Sequence, residues 1–422
     1  MNIADRLNYL LESENFIHPD FHHCPFLQQE WEAILAGLLP LRTDQAIYLA
    51  ERWEIPYAYL TDYDKTDIDI HRKLQILQHD MLTNNKQAEV TLSELSAPYS
   101  IPSLMQEVIF KLLQAVQFYK KNKLDNAAVL ESEYFSYMLP NNQIMKESGV
   151  FQKALFYYYG FKYYYEGKRE ESFAYFERLL EMTSDKEEVI SLIQNLTLIA
   201  NENKEYDRAI DFAKRMEEFS LTNKVNRGLA IARNYLGVLY LLKENYPTAI
   251  YYFEKMEHLD LTPLMRSRMY HNLGILYSKQ ERRQEAIEMF LESKDIKESN
   301  QLTEDLFLAY HALARNYFLA KQQDDANHYL KLAYQTAGNE DETSLAKKVE
   351  AEMKKESDPK TAIDLYEQAL KYYEKVQFIS ELDELYPALA ELYKMIGNSD
   401  MESLYKKRHE ALHKKQKETK HA

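Results

Sequence analysis

The sequence predicts an all-α fold, a solenoid of stacked helix pairs, and three observations carry that expectation. Turn-formers are scarce, with Gly occurring 9 times and Pro 11 times in 422 residues, whereas sheet proteins and loop-rich enzymes consume many more. Charged side chains make up 28% of the chain and accompany abundant Leu, Ala and Tyr, a composition suited to helices joined by short connections. One pattern also recurs at a fixed period. Leu236-Gly237 is followed by Tyr240, Ala249 and Phe253, and 37 residues later Leu273-Gly274 is followed by Tyr277, Ala286 and Phe290.

The same frame, a small residue followed by an aromatic, an Ala and a second large side chain, extends in both directions. Downstream it runs through Ala314, Tyr317, Ala326 and Leu330, then Ala362, Tyr366 and Ala369, and ends near Leu389, Ala390 and Tyr393. Upstream it passes through Leu196, Ala209 and Ala213, then Gly160, Tyr163 and Phe176, then Ala115 with Ala127, and starts at Ala88 and Leu92. Each unit is two helices whose apolar stripes find cover only against neighbours. Gly or Ala at the crossing point lets two axes approach to about 8–10 Å, and the aromatics fill the space one turn away. The spacing resembles the tetratricopeptide repeat. That resemblance implies a right-handed superhelix of about nine helix pairs over residues 67–410, followed by a basic tail, 411–422.

The first 66 residues do not follow the frame. They hold both tryptophans, Trp31 and Trp53, and the stretch Gly37-Leu38-Leu39-Pro40-Leu41. In spacing they resemble the helix-turn-helix domain of phage-repressor-like regulators, in which the segment before the glycine is the recognition helix. The resemblance places that helix at Phe26–Ala36 and the preceding one at Pro19–Pro25, between two prolines that disfavour helix. Gln28 and Gln29 are then the candidate DNA-reading residues, since a carboxamide pairs with adenine through two hydrogen bonds. Residues 1–66 carry 11 acids against 4 bases, which leaves few donors for phosphate. A helical cap used for dimerisation or packing is the alternative.

A repressor-like N-terminus followed by about nine tetratricopeptide repeats resembles the RRNPP group of peptide-pheromone receptors, and in particular its NprR and PlcR types. The Rap relatives share the array but carry a different N-terminal bundle. The resemblance implies a quorum-sensing transcription regulator that clamps a short secreted signalling peptide on its concave face and works as a homodimer or higher oligomer. A Rap-like modulator that binds a response-regulator protein, and a general repeat scaffold without DNA binding, are the alternatives.

Register within the repeat nominates the residues. With the crossing residue counted as the eighth, the fifth, sixth, ninth and twelfth positions tend to face the groove. Asn195 and Asn272 fall sixth, Asn234 and His271 fifth, Arg315 ninth and Asn201 twelfth, while Arg268 lies a turn before Asn272 on the same face. An Asn amide offers a donor and an acceptor to any peptide unit. Each such bond contributes about 1 kcal/mol, so several must act together. The run from Phe156 to Tyr165 is aromatic on every face of its helix, and Tyr157, Tyr158 and Phe161 are the rings expected in the groove.

Other chemistry is not supported. The net charge of −15 disfavours a broad, non-specific grip on nucleic acid. His18, His22, His23 and Cys24 are dense, but no second ligand pair follows at a regular spacing, so neither metal nor other cofactor is expected. No phosphate loop, nucleophile elbow or zinc-protease pair occurs, and no enzyme activity is expected. Cys24 is the only cysteine, which excludes an internal disulfide and suits a reducing compartment. With no apolar run of about 18 residues and no leader, a cytoplasmic protein is expected.

Overall fold

The structure is a computed structural model describing residues 2–14, 16–139, 149–303 and 306–421, with side chains as far as 414. Among these residues it contains helices and turns and no strand. Among the described residues, nine helix pairs follow in chain order from Ile68. The chain divides into two compact units, Met1–Ala232 and Arg233–Ala422, with the division inside the helix Asn226–Leu242.

In the first unit the pairs are Ile68–Thr83 with Asn85–Leu95, Leu104–Lys120 with Leu124–Leu130 and its short continuation to Met138, Gly149–Tyr165 with Arg169–Glu181, and Lys186–Glu202 with Tyr206–Asn223. In the second, Tyr246–Glu257 completes the pair opened by Asn226–Leu242. Pro263–Lys279 with Arg283–Ser299, Leu306–Leu319 with Gln323–Thr336, Glu340–Lys354 with Pro359–Val376, and Ile379–Met395 with Ser399–His421 then follow. The segment expected as a tail thus continues the last helix.

The crossing glycines behave as the pattern requires. A Cβ on Gly274 would stand 2.6 Å from the ring of Phe290, and one on Gly160 would stand 2.9 Å from Phe176. Gly237 meets Phe253 in the same way. Glycine scarcity has its own explanation in the turns. Within seven pairs a left-handed residue links the two helices: Asn122, Gly167, Lys204, Glu244, Glu281, Lys321 and Gly397. Only two of the seven are glycine, so the other five hold an ordinary side chain in a strained conformation. No helix among the described residues is long and apolar enough to cross a membrane.

At the N-terminus the helices are Ile3–Glu12, Gln28–Leu35, Thr43–Trp53 and Tyr57–Thr61. The helix expected at 19–25 is absent. Asp20 instead caps a turn, its carboxylate accepting from the His22 amide and its carbonyl from the His23 amide, while Pro19 and Pro25 withhold the amide hydrogens a helix needs. The helix that the repressor-like resemblance placed at 19–25 is thus replaced by a turn. These N-terminal helices are locked onto the first repeats. The guanidinium of Arg6, fully buried, donates to the carbonyls of Tyr59 and Pro102 and pairs with Glu107 at 2.7 Å. The Tyr59 hydroxyl donates to the other Glu107 oxygen at 2.6 Å.

Candidate functional site

In the second unit, consecutive first helices carry the residues that the repeat register nominated. Asn234 and Asn272 stand on neighbouring first helices and are half-buried, and the Asn272 amide donates to the Asn234 oxygen at 3.0 Å. That bond uses one group on each side chain and leaves each amide further hydrogen-bonding capacity. Arg268 and Arg315 are exposed, with the Arg315 Nε 3.6 Å from Glu352 on the next first helix.

His271 sits deeper than its register suggests. Its ring packs edge-on against Phe290 at 5.3 Å and its Nδ1 is buried without a hydrogen-bond partner. Burial pushes its pKa down to about 3, with Lys297 and His311 adding to the effect. His311 is lowered to about 4, again chiefly by burial. Both rings are thus neutral near pH 7.

The first unit arranges the equivalent face differently. The helix Ile68–Thr83 packs against the first helices of the next three pairs, Leu104–Lys120, Gly149–Tyr165 and Lys186–Glu202. Its apolar side chains Leu74, Leu77 and Met81 are fully buried. Polar bonds fix it along its length. Gln106 holds the backbone of Asp67 at one end, and Lys120 Nζ donates to the Met81 carbonyl at the other, 2.6 Å away. Between them Gln78 donates to the Val150 carbonyl, and His79 Nδ1 lies 3.0 Å from Glu188. Burial lowers the Lys120 pKa to about 8.

Burial corrects two expectations. Tyr157, 3% exposed, lies under the helix with its hydroxyl donating to the Met81 carbonyl at 3.4 Å and also bonded to the Asn195 side chain. Tyr158, 2% exposed, donates to Glu131 at 2.8 Å and packs on Phe135. Both are core residues, because a helix aromatic on all faces buries whichever faces meet neighbours. Phe161 is half-buried between Tyr157 and Phe176. Asn195 is half-buried, and Asn201, near its helix end, has a buried Oδ1 without a partner.

Gln28 and Gln29 are exposed in the first turn of an eight-residue helix, and Gln28 bonds Glu32 at 3.1 Å. No helix precedes theirs over residues 19–25. Of the histidines nearby, His18 accepts from the Trp31 indole at 3.1 Å. Sequence reasoning missed His79, Gln78, Lys120 and Glu188. The one available signal was the weak repeat frame before residue 100, where the first pair is marked only by Ala88 and Leu92.

Helix pairs sealed by glycine–phenylalanine crossings, with side chains of successive first helices displayed on one face, define a tetratricopeptide-type repeat fold. Residues 267–299 match the sequence model of the family described as tetratricopeptide repeat. No curated protein sequence matches the chain. Among solved structures, the fold is similar to the apo form of the quorum sensor NprR from B. thuringiensis, at 16% identity and a TM-score of 0.61 over 82% of this chain and 98% of that one. It is also similar to the apo form of RapI, at 13% identity and a TM-score of 0.59 over 83% and 98%. A Rap protein complexed with competence and sporulation factor gives 13% identity and a TM-score of 0.56 over 83% and 99%. At these identities the likeness is one of fold.

Proposed function

We propose that this chain is a peptide-responsive regulator without catalytic activity that acts on a protein partner and takes an extended signalling peptide on the first-helix face of Arg233–Ala422. The observation that carries the reading is the hydrogen-bonded pair Asn234 and Asn272, with Arg268 exposed beside it. Carboxamides repeated on neighbouring helices suit a peptide backbone of any sequence, and the arginine suits a carboxylate, such as the peptide's C-terminus. The RRNPP resemblance supports a peptide ligand, as does the fold shared with a quorum sensor and with a Rap protein complexed with a sporulation factor.

Action through protein rather than DNA is favoured by the N-terminus, where a turn replaces the helix expected at 19–25 and Arg6 anchors the segment by its buried pair with Glu107. The test is fluorescence anisotropy of the full chain with a labelled library of short synthetic peptides. Saturable binding that Asn234→Ala and Asn272→Ala both weaken is the expected result. Binding indifferent to both substitutions sinks the site, and a specific footprint on DNA sinks the choice of partner class.

A further inference from the structure

The last helix pair carries a feature that the peptide reading does not use. His409 and His413 lie four residues apart on Ser399–His421, a spacing that puts both imidazoles on one helix face, and Asp383 reaches them from the facing helix Ile379–Met395. Their donor atoms converge. His409 Nε2 is 2.8 Å from Asp383 Oδ1, His413 Nε2 is 2.9 Å from the same oxygen, and the two nitrogens are 3.1 Å apart. Among the described residues no other three His, Cys, Asp or Glu side chains bring donor atoms together in this way.

We infer that Asp383, His409 and His413 form a binding site for one divalent transition-metal ion of the zinc type. The geometry and the donor set both point there. Ligands bound at about 2.1 Å stand about 3.4 Å from one another at the tetrahedral angle zinc prefers, so a widening of this nearly equilateral triangle by a few tenths of an ångström seats the ion. Two imidazoles with one carboxylate suit zinc, cobalt or nickel better than magnesium or calcium, which prefer all-oxygen shells. The side chains are 30% exposed for His409, 46% for His413 and 45% for Asp383. An ion therefore enters from solvent, and water completes its coordination. Bound there, it ties the two helices of the pair together and stabilises them by mass action.

The pair does not depend on the ion to fold. Leu389, Leu392 and Tyr405 remain packed in its core, and Tyr386 and Arg408 both bond Glu374. Substitutions at the triangle therefore leave a folded protein to measure, and circular dichroism checks this.

The experiment is equilibrium dialysis of the untagged full chain against zinc, with visible absorption of the cobalt form as a second readout. The expected result is one ion per chain, a cobalt spectrum of mixed nitrogen and oxygen coordination, and a rise in melting temperature on adding zinc. All three are lost in His409→Ala/His413→Ala and in Asp383→Asn, and all three are kept in His18→Ala/His22→Ala. Stoichiometric uptake that survives in His409→Ala/His413→Ala overturns the assignment. So does a wild-type chain that takes up no ion at micromolar zinc, in which case the triangle is two imidazoles hydrogen-bonded to one carboxylate oxygen.

Discussion

His79 Nδ1 lies 3.0 Å from Glu188 Oε1, across 109 residues of sequence. That contact, with Gln78 on the Val150 carbonyl, holds the helix Ile68–Thr83 over the first helices of the pairs that follow. His79 is itself 43% exposed and Glu188 11%, so the bond is partly screened and contributes about 1 kcal/mol or less. His79→Ala is expected to raise amide exchange within residues 68–83 selectively while leaving Arg233–Ala422 unaffected. Uniform exchange across both segments would show that this helix is not an independent element.

The amide pair on the second unit is expected to matter for ligand and little for folding. Asn272→Ala removes one half-buried hydrogen bond to Asn234, so stability changes by about 1 kcal/mol or less. If peptide binding needs both amides, affinity falls about fivefold to tenfold for each substitution, on the same energy scale. Urea denaturation and titration on the same preparations separate the two effects. A large stability loss with unchanged affinity would make the pair structural.

Buried imidazoles set an acid limb. In the unfolded chain His271 and His311 protonate near pH 6.5, whereas burial holds them at about 3 and about 4 in the fold, with Lys297, Arg315 and Lys348 among the charges that add to it. Between those values the unfolded state binds more protons, so stability is complete above about pH 6.5 and declines as pH falls. His271→Leu is expected to flatten the decline between pH 6 and 4 in a melting series. An unchanged slope would place the acid sensitivity elsewhere.

Glycine at the helix crossing is a steric requirement. Gly274→Val forces branched carbons into the ring of Phe290, which a single Cβ would already approach to 2.6 Å. Overpacking of this kind costs about 1–3 kcal/mol, to be read from the urea midpoint. Gly274→Val/Phe290→Leu should recover part of the loss. No recovery would mean that the backbone, rather than the ring, carries the strain.

A buried ion pair helps tie the N-terminal segment to the first repeats. Arg6→Met leaves Glu107 buried without its cation, a change that costs about 3–5 kcal/mol. Double substitution with Glu107→Leu should be milder than Arg6→Met alone. An additive cycle would contradict the pairing.

The repeat was legible from the chain alone because its determinants are local. Gly237 with Phe253 and Gly274 with Phe290 lie sixteen residues apart in sequence, and the period that sets them also sets the helix count. For the same reason the register put Asn234 and Asn272 on meeting helices. What the tertiary structure alone decided was which faces remain open. Tyr157 and Tyr158 follow the groove register, yet Ile68–Thr83 and Glu131 cover them through contacts that join positions 76 and 27 residues apart. Likewise His409, His413 and Asp383 meet only because the last two helices pack face to face. Periodicity specifies which side of a helix a residue takes, but the cover over that side comes from distant chain, whose position depends on the summed packing of the whole unit.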